Sequence, residues 1–93
     1  MKYSERFAGK VAVVTGGCSG IGRAIAKRFV ADSGKVVVGD IDTDSFAALT
    51  EELGAENCYC VKCDVSVRAE VDAMIQAAYD KFGGFDCMFG IRA

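Results

Sequence analysis

Apolar positions in this chain follow two alternating patterns. Compact runs rich in valine and other small apolar residues predict β-strands, and apolar residues spaced three or four positions apart predict helices between them. The predicted strands lie at 11–15, 36–40, 58–63 and 85–89. The predicted helices lie at 20–32, 43–53 and 67–82. The first run is continuously apolar, which is typical of a strand buried on both faces.

Strands that alternate with helices in this way pair in parallel through right-handed crossovers. The pattern therefore predicts an α/β domain of three layers, with a four-stranded parallel sheet in the order 3-2-1-4. This order is the first half of a doubly wound nucleotide-binding sheet. We expect the first two helices on one face of the sheet and the third on the other. Residues 1–93 are interpreted as one small domain.

Polar and glycine residues mark the ends of the predicted helices. Asp42 or Thr43 is expected to cap the second helix, and Ser66 the third. The first helix is expected to end at Ser33–Gly34, the second at Gly54 and the third at Gly83–Gly84. The inward face of the first helix is expected to carry Ile21, Ala24, Ile25 and Phe29.

Composition and charge narrow the class of protein. Hydrophobic residues make up 52% of the 93 residues, which favours a folded core, and no apolar run reaches the about 18 residues of a membrane span. The start of the chain has no apolar segment typical of a secretory signal, so a cytoplasmic location is expected. Net charge is positive over residues 1–35 and negative over the remainder, but the basic residues are dispersed. We therefore expect neither a nucleic-acid nor a membrane partner.

The five cysteines are an odd number, which argues against a disulfide framework and for a reducing compartment. The spacing of Cys58, Cys60 and Cys63 allows a metal hypothesis, but without any histidine a closed zinc site needs four cysteines. On a strand, Cys60 and Cys63 point to opposite faces. Buried thiols acting as small hydrophobic groups are the favoured interpretation, and no metal site is predicted.

A glycine-rich turn joins the first strand to the first helix. Gly16 permits a tight turn, Gly20 lets backbone N–H groups approach phosphate oxygens, and Gly22 lets the helix pack close to the strand. The positive end of the helix then points at a pyrophosphate. Asp40 ends the second strand 18 residues after Gly22, at the spacing of an acid that binds ribose hydroxyls, and Asp64 follows the third strand.

The segment Thr15–Gly22, in register with Asp40 and Asp64–Val65, resembles the T-G-x-x-x-G-x-G cofactor motif of the short-chain dehydrogenase/reductase family. The resemblance covers about residues 7–89 and implies a Rossmann-type half-domain that binds NAD. It implies hydride transfer between NAD(H) and an alcohol or carbonyl in the complete family. The implied cofactor-binding residues are Gly16, Cys18, Ser19, Gly20, Ile21, Gly22, Asp40, Ile41, Asp64 and Val65.

The predicted cofactor preference depends on charge. The carboxylate of Asp40 would repel a 2′-phosphate. Relatives that prefer NADP often carry a basic residue where this chain has Ser19 and Ile41. NAD is therefore predicted over NADP.

The resemblance stops short of the catalytic residues. Gly90–Ala93 stands where the family has Asn-Asn-Ala-Gly, and none of Tyr3, Tyr59 and Tyr79 is followed four positions later by lysine. Since carbonyl reduction needs a positioned proton donor, no catalytic residue is assigned and the chain alone is expected to be inactive.

The fourth strand is an open edge rich in apolar residues, which predicts self-association or assembly with a full-length relative. A non-catalytic interaction protein that pairs through this edge is the alternative function. A module that binds a methyl donor is a further alternative, but its glycine loop differs.

Overall fold

The computed structural model describes residues 7–16 and 20–90, which form one four-stranded sheet and three helices. The strands are β1 (Val11–Thr15), β2 (Lys35–Asp40), β3 (Cys58–Lys62) and β4 (Cys87–Gly90). The helices are α1 (Gly20–Ala31), α2 (Phe46–Leu53) and α3 (Arg68–Phe82). All neighbouring strands pair in parallel, in the order β3-β2-β1-β4. The predicted α/β architecture and strand order are therefore confirmed.

Two hydrophobic clusters lie on opposite faces of the sheet. One contains Phe29 of α1 and Leu49 of α2, and the other contains Met74 and Ala78 of α3. All five residues of β1 are buried, so this strand contributes alternate side chains to both clusters. The predicted placement of two helices on one face and one on the other is confirmed.

The buried stripe of α1 differs from the prediction. Phe29 is buried and Ile25 packs against the core as predicted, but Ile21 is 68% exposed and Ala24 is also exposed. The inward face is thus rotated toward Gly22 and Ala26, which are buried. Gly22 explains the rotation because a residue without a side chain lets the helix backbone approach the sheet closely.

The predicted cap of α2 is wrong. Its N-terminal flanking residue is Ser45, which makes no capping hydrogen bond through its side chain, so neither Asp42 nor Thr43 has that role. The Asp42 carboxylate instead accepts a hydrogen bond from the backbone N–H of Asp44, at 3.0 Å. Local side-chain turns of this kind compete with helix capping.

The predicted cap of α3 is also wrong, whereas the predicted glycine ends of α2 and α3 hold; after α1 the positive φ, 75°, belongs to Ser33 and not to Gly34. Val67 precedes α3, and the hydroxyl of Ser66 donates to Asp64 at 2.7 Å. Gly54 follows α2 with a φ of 95°, and Gly83 follows α3 with a φ of 77°. Glycine suits both positions because other residues rarely adopt positive φ.

Replacement of Gly34 by alanine is expected to lower the free energy of unfolding by about 1–3 kcal/mol, because it overpacks the core. A β-carbon there would overlap the ring of Phe29 and lie 3.0 Å from the Phe29 carbonyl oxygen. That ring has little room to move, since it is buried and stacked on Phe7 with 4.3 Å between centroids.

Urea unfolding followed by circular dichroism measures the effect of Gly34→Ala. Gly84→Ala is the matched control, because a β-carbon at Gly84 would meet no described atom within 4 Å. Equal midpoints for the two variants would contradict the packing argument.

Within the two described ranges, none of the helices has the length and apolarity needed to cross a membrane.

Candidate cofactor site

The end of β1 turns sharply at Gly16. Gly16 has a φ of 69°, and its N–H donates to the carbonyl oxygen of Gly39 in β2 at 2.7 Å. The turn therefore begins while the chain is still hydrogen-bonded to the neighbouring strand. Two predicted cofactor-binding residues, Cys18 and Ser19, lie outside the described residues.

The N-terminus of α1 lies at the far side of this turn. Gly20 is the first helical residue and is exposed, and a β-carbon on it would meet no described atom within 4 Å. Ile21 is exposed beside it, and Gly22 is buried toward the sheet. The first turn of α1 contains no acidic residue. Its backbone N–H groups and its helix dipole are thus suited to an anion such as a pyrophosphate.

Asp40 ends β2 and is partly exposed. Its Oδ1 atom accepts a hydrogen bond from the N–H of Asp42 at 2.9 Å, which orients the carboxylate. Its carbonyl oxygen accepts from the N–H of Cys63 at 3.1 Å, which ties the ends of β2 and β3 together. Ile41 follows and is 61% exposed. An oriented carboxylate beside an exposed apolar side chain can bind the hydroxyls of a ribose.

Asp64 begins the turn that leads from β3 toward α3. Its Oδ1 accepts from both the hydroxyl and the N–H of Ser66, at 2.7 and 2.9 Å. These two hydrogen bonds lower the pKa of the Asp64 carboxyl, because they stabilise its charged form. Its own N–H donates to Glu70 Oε1 at 2.8 Å, and Val65 next to it is exposed. Asp64 thus shapes the turn as well as being a predicted site residue.

The sheet brings the described site residues to a single edge. Parallel strands about 4.8 Å apart end in the order β3, β2, β1, so Asp64, Asp40 and Gly16 follow one another along the carboxyl edge. This edge, next to the N-terminus of α1, is where ligands bind in open α/β sheets. Among the described residues, no three His, Cys, Asp or Glu side chains are grouped as metal ligands, so the alternative of a metal site at Cys58, Cys60 and Cys63 has no support. Cys60 packs with the cluster of α1 and α2, and Cys63 packs with that of α3.

Three residues that support this edge were missed by the sequence prediction. The hydroxyl of Thr15 donates to the carbonyl oxygen of Phe89 at 3.3 Å and joins β1 to β4. Glu70 holds the Asp64 turn. Glu52 of α2 binds Arg23 and Lys27 of α1, and these two cations lower its pKa. Only the Asp64-x-Ser66 spacing, typical of a side-chain turn, could have been read from the sequence.

Known proteins share this arrangement. The model of the short chain dehydrogenase family matches residues 10–90. Tropinone reductase-like 2 of Erythroxylum coca is 44% identical over 85 residues, which cover 91% of this chain and 30% of that protein. A short-chain dehydrogenase/reductase of Brucella melitensis, titled a glucose/ribitol dehydrogenase, superposes with a TM-score of 0.85 at 34% identity. That match covers 95% of this chain and 36% of the other.

A second solved structure was determined with a bound nucleotide. It is the 3-ketoacyl-(acyl-carrier-protein) reductase of Brucella melitensis complexed with NADH, with a TM-score of 0.82 at 40% identity. The match covers 88% of this chain and 34% of that protein. This chain therefore spans about a third of the length of the relatives that it matches. Because the family model matches nearly all of its residues, the chain belongs to the short-chain dehydrogenase family.

Proposed function

We propose that residues 1–93 are the NAD(H)-binding half-domain of a short-chain dehydrogenase/reductase. The observation that carries the proposal is the placement of Asp40 on the strand next to the Gly16 turn, with the exposed N-terminus of α1 beyond it. A pyrophosphate would bind at the amides that follow Gly20. The adenosine ribose would bind at Asp40. The complex of a 40% identical relative with NADH supports this assignment.

The remaining predicted residues are assigned to the same ligand. Ile21, Ile41 and Val65 are exposed large apolar side chains, and each is adjacent in sequence to another of the predicted site residues. Exposed apolar groups of this kind would cover the faces of an adenine ring and its ribose. Asp64 would lie near the adenine, its carboxylate oriented by Ser66. Cys18 and Ser19 are assigned to the phosphate turn from the motif alone.

The preference for NAD over NADP is proposed from charge. A 2′-phosphate would have to lie against the Asp40 carboxylate, which repels it, and no basic side chain occupies position 41. The N–H of Asp42 already donates to Oδ1 of Asp40, so the carboxylate is held in position before any ligand binds.

Hydride transfer in the complete family is the reaction that this half-domain is proposed to serve. When bound, NAD(H) supplies or accepts the hydride. The chain's own residues bind and orient the dinucleotide, but none supplies the proton that carbonyl reduction requires. We therefore propose binding without turnover for residues 1–93 alone.

Titration calorimetry of the chain with NADH and NADPH tests the assignment. We expect at least about tenfold tighter binding of NADH, which corresponds to about 1.4 kcal/mol. Equal affinities would refute the preference, and the absence of binding to either nucleotide would refute the site. Assays with alcohols and carbonyl compounds test the proposed absence of turnover.

We also propose that the outer edge of β4 pairs with a further strand. Among the described strands β4 has only β1 as a neighbour, and Met88 on it is exposed. A second copy of the chain or a full-length relative could supply the strand, and a non-catalytic partner role for the chain is the alternative function. Sedimentation at micromolar concentrations, alone and with such a relative, tests both.

A cytoplasmic location is proposed from the absence of disulfides among the described cysteines.

A further inference from the structure

A cavity of about 720 Å³ lies at the outer edge of β3, away from the carboxyl edge of the sheet. Side chains of α2 and β3 line it, together with one lysine of α3. Its lining residues include Phe46, Thr50, Cys58, Tyr59, Cys60 and Lys81. Its walls are mainly apolar, and Gly16, Asp40 and Asp64 are not among the lining residues. It is therefore a different surface from the proposed cofactor site.

Cys58 and Cys60 both line this cavity and lie on the same face of β3. The Sγ atoms of Cys58 and Cys60 are 3.9 Å apart, because residues two apart on a strand share a face. The Thr50 hydroxyl of α2 lies 3.4 Å from the Cys60 sulfur, and the Phe46 carbonyl oxygen lies 3.9 Å from it. Cys58 is buried, whereas Cys60 is partly exposed. Cys60 is thus the thiol that a molecule in the cavity can reach.

Two neighbours of Cys60 favour its anionic form, whereas the Phe46 carbonyl oxygen, which accepts from the thiol at 3.9 Å, favours the protonated form. The Cys58 thiol and the Thr50 hydroxyl can both donate to its sulfur, and they lower the pKa of Cys60 to about 7. The charged or titratable groups around the cavity are Glu51 of α2, Cys58 and Tyr59 of β3, and Lys81 of α3. Lys81 lies over the Tyr59 ring, with its ammonium 4.6 Å from the ring centroid.

The pKa values of two other described thiols, Cys63 and Cys87, are shifted in the opposite direction. Burial and the carboxylates of Glu70 and Asp64 raise the pKa of Cys63, and burial and Asp86 raise that of Cys87. Since the thiolate is the reactive form of cysteine, Cys60 is distinguished from both near neutral pH.

We propose that Cys60 is a covalent modification site for soft carbon electrophiles with an apolar substituent, such as α,β-unsaturated carbonyl compounds. The apolar walls, with Phe46 at one side, would hold the substituent while the thiolate faces the electron-poor carbon. The thiol first loses its proton to water. The sulfur then bonds to the β-carbon, the C=C π pair moves to the α-carbon, and the resulting enolate takes a proton from water. The net reaction adds S–H across the double bond, and nothing is oxidised or reduced.

Limited labelling of the whole chain with 4-phenyl-3-buten-2-one, followed by peptide mapping, tests the proposal. At pH 7 we expect Cys60 to react at least about tenfold faster than Cys63 or Cys87, as its larger thiolate fraction requires. The rate at Cys60 should rise with pH with a midpoint near pH 7 and level off about one pH unit above it, whereas the rates at the other two should still rise there. First labelling at Cys58, or equal rates at Cys60 and Cys87, would overturn the proposal.

Matched variants test the role of the surroundings. Thr50→Val removes the hydroxyl donor at nearly constant volume and should move the midpoint of the pH–rate profile at Cys60 upward, whereas Thr50→Ser should keep it. Thr43→Val changes an exposed threonine outside the cavity and should have no effect. A Thr50→Val profile identical to that of the unmodified sequence would refute the contribution of Thr50.

Iodoacetamide has no apolar group for the cavity to bind. The ratio of the labelling rate at Cys60 to the rates at Cys63 and Cys87 should therefore be smaller with iodoacetamide than with 4-phenyl-3-buten-2-one. Equal ratios for the two reagents would refute binding in the cavity.

Discussion

Truncation of Phe29 to alanine is expected to lower the free energy of unfolding by about 3–5 kcal/mol. Phe29 is 2% exposed and contributes the largest side chain that α1 places in its core cluster. Its ring stacks on Phe7 at an interplanar angle of 11°, and a β-carbon at Gly34 would overlap that ring. Removal of the ring leaves a cavity that strands and helix cannot close. Since native proteins have a total stability of only about 5–15 kcal/mol, a large share of the stability would be lost.

Urea unfolding monitored by circular dichroism provides the measurement for Phe29→Ala. Tyr79→Ala is the matched control, because Tyr79 is an aromatic residue of α3 with 52% of its surface exposed. Its replacement should change the free energy of unfolding by no more than about 0.5 kcal/mol. If the two variants had the same urea midpoint, the assignment of Phe29 as the anchor of α1 would be wrong.

Replacement of Asp40 by asparagine is expected to weaken NADH binding by about 10–100-fold, the range for loss of hydrogen bonds to a charged acceptor. Asparagine keeps an oxygen at Oδ1 to accept from the N–H of Asp42, so the turn after β2 is preserved. What it removes is the negative charge and the second acceptor that a ribose hydroxyl would use. Binding of NADPH should be unchanged or stronger, because the repulsion of its 2′-phosphate is relieved.

Titration calorimetry with both nucleotides measures the Asp40→Asn effect. Asp44→Asn is the control, because it removes the same charge from an exposed position four residues further along. If both variants weakened NADH binding equally, the effect would come from the overall charge and not from the position of Asp40. Loss of NADPH binding along with NADH binding in Asp40→Asn would indicate a damaged turn rather than a specificity residue.

The architecture followed from the sequence because its determinants are local or strictly periodic. The continuous apolar run of 11–15 can only be buried on both faces, which makes β1 an interior strand. Gly83 was identifiable as a helix end because its positive φ is a backbone requirement that few other residues meet. The parallel pairing follows from the helix between each pair of successive strands, and the order β3-β2-β1-β4 is that of the first half of a doubly wound nucleotide-binding sheet.

The errors arose where hydrogen bonds or packing compete over several residues. Ser66 has the right residue type for a helix cap, but its hydroxyl binds the carboxylate of Asp64, two residues before it. Ile21 fits a helical apolar stripe, yet its neighbour Gly22 is the buried residue and Ile21 itself is 68% exposed. In each case two local arrangements of similar energy were available, and only the packed chain selects between them.

The sequence by itself determined the succession of elements, the glycine turn before α1 and the acids that follow β2 and β3. These features depend on the conformational freedom of the backbone and on the spacing of apolar residues, and both can be read from residues close together in the sequence. Only the tertiary structure decided that Glu70 of α3 accepts from the N–H of Asp64 and that Thr50 of α2 meets the sulfur of Cys60 on β3. The contact between Thr50 and Cys60 depends on how far α2 lies from the sheet. Core packing sets that distance, and the spacing of residues along the sequence does not reveal it.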